Sequence, residues 1–260
     1  MVSIPQPQVL AVELESVLVP SFWTPGHQES LQELVSAKFS ANWSLIYLTK
    51  LSRVAVCASI IRHRLPLPDV VVSEGGAMLY GASDPFMLTP LERFQREMTA
   101  ALGFPDHRRI DEIMLAHAGV ETQDPEYQGV RKRCYRIDRS IADATVNTIK
   151  KQISEKQLRV RIETSVTDQD DFVVCDVLAE KASYWPSLQW WHHHQGRSPQ
   201  ATVCVLSSAR QGEVPAEAYR LAIATSQFQA SATTVSGIYH TSRPHACGVL
   251  ESCQHYQVMR

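Results

Sequence analysis

Two carboxylates, Glu13 and Glu15, follow a short apolar run near the start of the chain. Residues 9–12 of this run are all apolar, which is typical of a strand buried on both faces of a parallel sheet. If the strand continued, residues two apart would point to the same side, and both carboxylates would face one ligand. Open α/β sheets bind their ligands just beyond the carboxyl ends of such strands. The spacing therefore fits a catalytic pair, although two solvated charges at a strand end would give the same pattern.

Thr49 ends a second apolar run, residues 43–49. Its hydroxyl could donate a hydrogen bond to a phosphate oxygen. Threonine is also common in strands for its β-propensity alone, so the position supports either interpretation.

The run of His192, His193 and His194 falls on a predicted helix, where three consecutive side chains point in three directions. These histidines therefore do not predict a metal site.

The composition is that of a folded protein with no strong electrostatic preference. The 260 residues are 44% hydrophobic, which is enough for the core of one large domain or two modest ones. The balance of 25 basic and 27 acidic residues predicts neither a nucleic-acid partner nor a membrane surface. The start of the chain lacks signal-peptide features, and no apolar run is long enough to span a bilayer, so we expect a cytoplasmic protein. Its six scattered cysteines are then expected to be reduced.

The order of the predicted elements indicates an α/β protein with an insertion. Apolar strands alternate with helix-spaced segments at both ends of the chain, as in a parallel sheet. Between about residues 83 and 174 the pattern changes to an α+β unit. The predicted organisation is a core of residues 1–84 and 175–260 with an inserted cap of residues 85–174. The predicted helices are 29–40, 52–63, 89–102 and 143–156, and the predicted strands are 43–49, 68–72, 130–138, 158–165, 201–206 and a core strand that begins at residue 172.

This order of segments resembles the haloacid dehalogenase superfamily and, within it, the sucrose-phosphate phosphatase group. The resemblance implies a Rossmann-like core with a parallel sheet and an inserted α+β cap. The family opens on a strand followed by Asp-x-Asp-x-Thr. Glu13 occupies the position of the phosphoryl-accepting nucleophile, Glu15 that of the general acid/base, and Val17 that of the threonine. All three positions therefore depart from the family pattern.

The resemblance also implies two phosphate-binding residues. Thr49 matches the hydroxyl that binds the transferring phosphoryl group, although Lys50 and Leu51 replace the Gly-Arg that usually follows. Lys181 matches the lysine whose ammonium group neutralises the nucleophile and the phosphoryl charges, and Ala182 replaces the glycine after it.

A polar segment of the predicted cap, residues 121–132, resembles the stretch that contacts the sugar in the family. Gln123, Glu126, Gln128 and Lys132 match that stretch residue by residue. Side-chain amides and carboxylates can make paired hydrogen bonds with sugar hydroxyls. A polar surface loop is an equally good interpretation of the segment.

The fourth motif of the family, Gly-Asp-Ser-x-Asn-Asp, supplies carboxylates that hold Mg²⁺. In this chain the strand at 201–206 is followed instead by Ser207, Ser208, Ala209, Arg210 and Gln211. Both carboxylates are absent, and Arg210 brings positive charge to the place of the metal. Because Mg²⁺ depends on oxygen ligands such as carboxylates, we expect no metal or other cofactor unless the phosphatase activity is retained.

Two functions follow from these observations. The first is a non-catalytic pseudo-phosphatase that binds a sugar, a sugar phosphate or a protein partner in a regulatory or scaffolding role. In that case Lys50, Lys181 and Arg210, if they converge, would form an anion-binding site without a metal. The alternative is a phosphoric monoester hydrolase, a weak Mg²⁺-dependent sugar-phosphate phosphatase in which Glu13 attacks and Glu15 carries the proton.

Overall fold

The computed structural model describes residues 8–20, 24–40, 43–102, 106–166, 171–207, 219–224 and 238–258. Among these residues no helix combines the length and the apolar character that crossing a bilayer requires. All six cysteines are free thiols. In chain order the elements are β1 (Val9–Glu13), α1 (His27–Ser40), β2 (Ser44–Leu48), α2 (Arg53–His63), β3 (Val70–Ser73), β4 (Met78–Asp84), β5 (Met87–Pro90), α3 (Glu92–Leu102), α4 (His107–Met114), β6 (Val120–Thr122), β7 (Lys132–Asp138), α5 (Ala142–Glu155), β8 (Val160–Val166), β9 (Phe172–Ala179), α6 (Tyr184–Gln195), β10 (Thr202–Leu206), β11 (Arg220–Ile223), β12 (Ile238–His240) and α7 (His245–Tyr256).

The larger sheet has eight strands in the order β12-β11-β10-β1-β2-β3-β4-β5. The strands from β12 to β3 are parallel, and β4 and β5 extend the sheet as an antiparallel hairpin. The apolar first strand, β1, lies between β10 and β2 and packs against helices on both faces of the sheet, as the sequence pattern predicts. The predicted α/β fold with a mainly parallel sheet is therefore confirmed.

Alternate residues of the central strands build two separate hydrophobic cores. On β1, Leu10 and Val12 pack on one side of the sheet with residues of α1, α2 and α7. Val9 and Ala11 pack on the other side with residues of α3 and α6, including Phe94. Because the strands from β11 to β3 are parallel, their carboxyl ends lie at one edge of the sheet.

The second, smaller sheet is antiparallel, with the order β6-β7-β9-β8. Helices α4 and α5 cover one of its faces, where Tyr135, Ile149 and Cys175 are fully buried. We call this unit, from α4 to β9, the cap.

The cap differs from the predicted insertion at both ends. Strand β9 pairs with β7 and β8 in the cap sheet and does not return to the core, so the predicted boundary at residues 174 and 175 divides a cap strand. At the other end, β5 lies in the core sheet and Phe94 of α3 is buried in the core. The reason is physical: an apolar strand satisfies its burial equally well in either sheet, and sequence alone does not distinguish the two.

Candidate functional site

A cavity of about 680 Å³ lies between the carboxyl edge of the core sheet and the open face of the cap sheet. This volume is in the range of small-molecule sites, which run from roughly 300 to 1,000 Å³. The core contributes Glu13, Glu15, Lys50, Gly75 and Ser207, which lie at or just beyond the ends of β1, β2, β3 and β10. The position agrees with the rule that open α/β sheets bind ligands at this edge.

The cap contributes one face of its sheet to the cavity. Since side chains alternate between the two faces of a strand, every second residue of β7, β8 and β9 points toward the core. The cavity-lining residues on these three strands are Lys132, Cys134, Arg136, Arg161, Glu163, Ser165, Val166, Phe172, Val174 and Asp176, and all but Val166 follow this alternation.

Glu13 is held by the strand next to it. The backbone N–H and the hydroxyl of Ser207 both donate to Glu13 Oε2, each at 2.7 Å. These bonds arise because β1 and β10 are parallel neighbours, so their carboxyl ends lie side by side. One oxygen of the carboxylate therefore already carries two hydrogen bonds before any ligand arrives.

Glu15 reaches the same cavity by a different path from the one the spacing suggests. The strand ends at Glu13, and the chain turns at Ser16, whose φ is 66°. Glu15 Oε1 accepts a hydrogen bond of 2.9 Å from the backbone N–H of Lys50. Burial is the main reason that the pKa of Glu15 is raised above its ordinary value, and the nearby charge of Glu13 raises it further. The two carboxylates thus share a cavity but have different environments.

Thr49 and Lys181 are not among the residues that line this cavity. Thr49 is fully buried, and its hydroxyl oxygen accepts a 3.0 Å hydrogen bond from the N–H of Leu51. Its side chain is close enough to Glu15 to lower the pKa of that carboxyl, against the stronger effect of burial. Lys181 is exposed on the turn after β9.

The four predicted sugar-contact residues divide into two pairs. Gln123 and Lys132 line the cavity, whereas Glu126 is exposed and, like Gln128, lies outside the lining. The Gln128 amide is committed to the hairpin backbone: its Nε2 donates to the carbonyls of Gln123 and Cys134, and its Oε1 accepts from Cys134 N–H. The structure therefore uses Gln128 to shape the segment that carries Gln123 and Lys132.

Lys132 forms a buried ion pair within the cap sheet and a hydrogen bond that reaches the core. Only 3% of the residue is exposed, and its Nζ lies 2.7 Å from Asp176 Oδ1 and 2.9 Å from the carbonyl oxygen of Lys50. Burial alone would lower the pKa of Lys132, but the carboxylate of Asp176 and other nearby groups raise it on balance. The ammonium group is therefore charged at neutral pH.

Every basic side chain among the described lining residues contacts a carboxylate. The cations are Lys50, Lys132, Arg136 and Arg161, and the carboxylates are Glu13, Glu15, Asp124, Glu163 and Asp176. Glu163 pairs with both Lys50 and Arg161, the latter at 2.8 Å, and Arg136 lies 3.0 Å from Asp124. The described cavity thus has no surplus of positive charge.

This pairing changes the expected anion site. Lys50 does lie in the cavity, but its charge is offset by Glu163. Lys181 is exposed and lies outside the lining, while Arg210 and Gln211 lie outside the described residues. The described part of the chain therefore does not bring the three expected cations together.

The residues around Glu13 are a poor match for the Mg²⁺ site of the family. Within the described ranges, no group of three or more His, Cys, Asp or Glu side chains could hold a metal ion. Glu13 Oε2 faces two hydrogen-bond donors of Ser207, and burial favours the protonated form of Glu15. A metal ligand must instead present a deprotonated oxygen with a free lone pair.

Sequence reasoning missed Arg161, Glu163 and Asp176. The first two alternate with less polar residues along β8, and this period-two pattern could have indicated one polar face. Asp176 is the single charge within the otherwise apolar strand β9. A buried charge needs a partner, but only the fold shows that the partner is Lys132.

Comparison with protein-family models identifies one family over nearly the whole chain. Residues 6–257 match the model described as sucrose-6F-phosphate phosphohydrolase. The chain belongs to this family. The resemblance inferred from the sequence motifs is therefore confirmed. A comparison with curated protein sequences gives no match.

Solved structures support the same fold. The sucrose-phosphatase from Synechocystis, in complex with sucrose and phosphate, has a TM-score of 0.73 and 17% identity, over 97% of this chain and 99% of that one. A Thermoplasma acidophilum protein has a TM-score of 0.68 and 11% identity, over 98% of this chain and 100% of that one. A haloacid dehalogenase-like hydrolase from Bacillus subtilis has a TM-score of 0.63 and 11% identity, over 99% and 95% of the two chains. At these identities the likeness shows the shared fold.

Proposed function

We propose that the protein binds an uncharged sugar in the cavity between core and cap, and that it does so without phosphoryl-transfer chemistry. The observation that carries this proposal is the pairing of all the described cavity cations with carboxylates. A phosphate group needs unpaired donors to replace its hydration. A ligand that carries a phosphate group would have to break the existing ion pairs of the cavity or place its dianion against the carboxylates.

A sugar suits the same set of groups. Each sugar hydroxyl can donate to a carboxylate and accept from an ammonium or guanidinium group. The cavity also has apolar surface from Tyr127, Phe172 and Trp185, which can pack against the C–H face of a sugar ring. Gln123 and Lys132, which match the family's sugar-contact pattern, are part of the lining.

The proposal of a non-catalytic site rests on the first motif. The carboxylate of Glu13, at the nucleophile position, accepts two hydrogen bonds from Ser207. The glutamate side chain is also one carbon longer than the family's aspartate, and a displacement of about 1 Å can cost on the order of 10²-fold in rate. The Lys181 position, which carries the neutralising charge in the family, is exposed and outside the cavity lining.

One observation favours the alternative, a weak Mg²⁺-dependent phosphatase. The pKa of Glu15 is raised by burial, so this carboxyl retains its proton to a higher pH, as a general acid requires. The two functions differ in a measurable way, because only the phosphatase releases phosphate and needs the Glu13 carboxylate as a nucleophile.

Binding is tested by calorimetry with a panel of neutral sugars and their phosphates, in the absence of Mg²⁺. We expect a neutral sugar to bind more tightly than its phosphate. Replacement of Arg136, which faces the cavity, by alanine should weaken sugar binding about 10- to 100-fold, the effect of losing one charge-assisted hydrogen bond. The matched control is Arg133→Ala, because Arg133 is on the same strand but pairs with Asp111 on the opposite face. Tighter binding of the phosphate, or equal losses in the two variants, would contradict the proposal.

Catalysis is tested by phosphate release from sugar phosphates, including sucrose 6-phosphate, with Mg²⁺ present. We expect no release above that of the Glu13→Ala variant. Activity that disappears in Glu13→Ala would overturn the non-catalytic proposal and make Glu13 a working nucleophile.

A further inference from the structure

A buried carboxylate of the core, Glu74, holds the backbone of the cap. Glu74 follows β3 and is 1% exposed. Its Oε1 accepts from the N–H of Val130 at 3.2 Å, and its Oε2 accepts from the N–H of Arg131 at 2.7 Å. Both oxygens of a single core side chain are therefore bonded to two successive backbone groups of the cap.

The cap segment is shaped to receive this carboxylate. At Gly129, a Cβ atom would overlap the carboxyl carbon of Glu74. The conformation of Gly129 does not itself require glycine, since it lacks the positive φ that disfavours other residues. The absence of a side chain is needed for the close approach alone. Carboxylate and glycine are thus complementary parts of one contact.

This contact lies directly beside the sugar cavity. Gly75, the neighbour of Glu74, lines the cavity from the core, and Lys132, the neighbour of Arg131, lines it from the cap. Two further contacts cross the same junction: Lys132 Nζ donates to the carbonyl of Lys50, and the Ser52 hydroxyl donates to the carbonyl of Glu126. Fixing the backbone at 130 and 131 therefore sets where Lys132 enters the cavity.

We propose that Glu74 is a positioning residue that clamps the cap over the cavity in the ligand-free protein, so that the sugar site is formed in advance of binding. A buried carboxylate that loses its donors is strongly disfavoured, so opening the cap must either hydrate Glu74 or leave it unsatisfied. The closure does not depend on the proposed function, whereas its effect on sugar affinity rests on it.

The closure is tested by amide hydrogen exchange of the full-length, ligand-free protein. In Glu74→Gln the side chain keeps its shape but presents an NH₂ group and no charge to the cap amides. We expect amide exchange at Val130 and Arg131 to accelerate about 10- to 100-fold, the factor that corresponds to the loss of one charge-assisted hydrogen bond. Gly129→Ala should accelerate the same amides, and the double variant should add little, because each change breaks the same contact.

The matched control is Asp69→Asn. Asp69 also accepts a backbone hydrogen bond, 2.7 Å from Leu45 N–H, but both residues belong to the core. This variant should leave the exchange of Val130 and Arg131 unchanged relative to the wild type. Unchanged exchange in folded Glu74→Gln, or an increase spread evenly over the chain, would overturn the proposed clamp.

Sugar affinity gives an independent readout. If the clamp prepares the site, Glu74→Gln should weaken sugar binding while the cavity residues remain intact. Faster exchange at Val130 and Arg131 in a protein that binds no sugar would support the clamp and refute the proposed function. Sugar binding with unaltered exchange in Glu74→Gln would support the function and refute the clamp.

Discussion

Replacement of Lys132 by methionine should destabilise the protein more than replacement of any exposed charged residue. The Lys132 ammonium is buried and lies between Asp176 Oδ1 at 2.7 Å and the Lys50 carbonyl at 2.9 Å. Methionine fills much of the same space but leaves the Asp176 carboxylate buried without its partner. Breaking a buried ion pair in this way costs about 3 to 5 kcal/mol. For a chain of this size, the melting temperature should fall by about 10 °C.

Chemical and thermal denaturation measure this loss, and two further variants identify its cause. The double variant Lys132→Met/Asp176→Leu removes both charges, so no buried charge lacks a partner and most of the lost stability should return. Lys151→Met removes the cation of an exposed pair with Glu155 and should change stability by less than about 0.5 kcal/mol. The reasoning is refuted if Lys132→Met loses less than about 1 kcal/mol, or if the double variant is as unstable as the single one.

Two other perturbations have clear expected outcomes. His192 is 1% exposed, and its Nε2 lies 3.0 Å from the Thr202 hydroxyl. Burial lowers the pKa of His192 from 6.5 to about 4. Between pH 6.5 and 4 the unfolded chain binds a proton at His192 that the folded protein does not, so the free energy of unfolding falls as the pH decreases through this range. In His192→Gln this loss should be absent, which amounts to a difference of about 3 kcal/mol over the range. Urea unfolding at several pH values measures it. Gly76→Ala should lower the melting temperature strongly, because φ is 95° and a Cβ would overlap the Ser183 carbonyl, whereas Gly196→Ala, with φ of 61° and open space, should cost only about 1 kcal/mol. These expectations would be contradicted if the difference in the free energy of unfolding between wild type and His192→Gln did not change with pH, or if the two glycine variants lowered the melting temperature equally.

The sequence was sufficient to predict the architecture and the edge of the sheet at which the candidate cavity lies. Apolar runs such as residues 9–12 and 201–206 alternate with helix-spaced segments, a pattern typical of a parallel sheet with helices on both faces. Because the carboxyl ends of parallel strands share one edge, the position of Glu13 after β1 already indicated where a ligand would bind. The cap was also evident from the change of pattern within the chain.

The partners within the site depended on tertiary structure. Arg161, Glu163 and Asp176 are ordinary charged residues in the sequence, and they become cavity groups because three antiparallel strands align their alternate positions on one face. The same pairing places β9 in the cap sheet, and Lys181, on the turn after β9, is exposed. Local patterns determine which residues must be buried, while the pairing of strands decides against which partners they are buried. The charge balance of the cavity, and with it the proposed preference for a neutral sugar, is a consequence of that pairing.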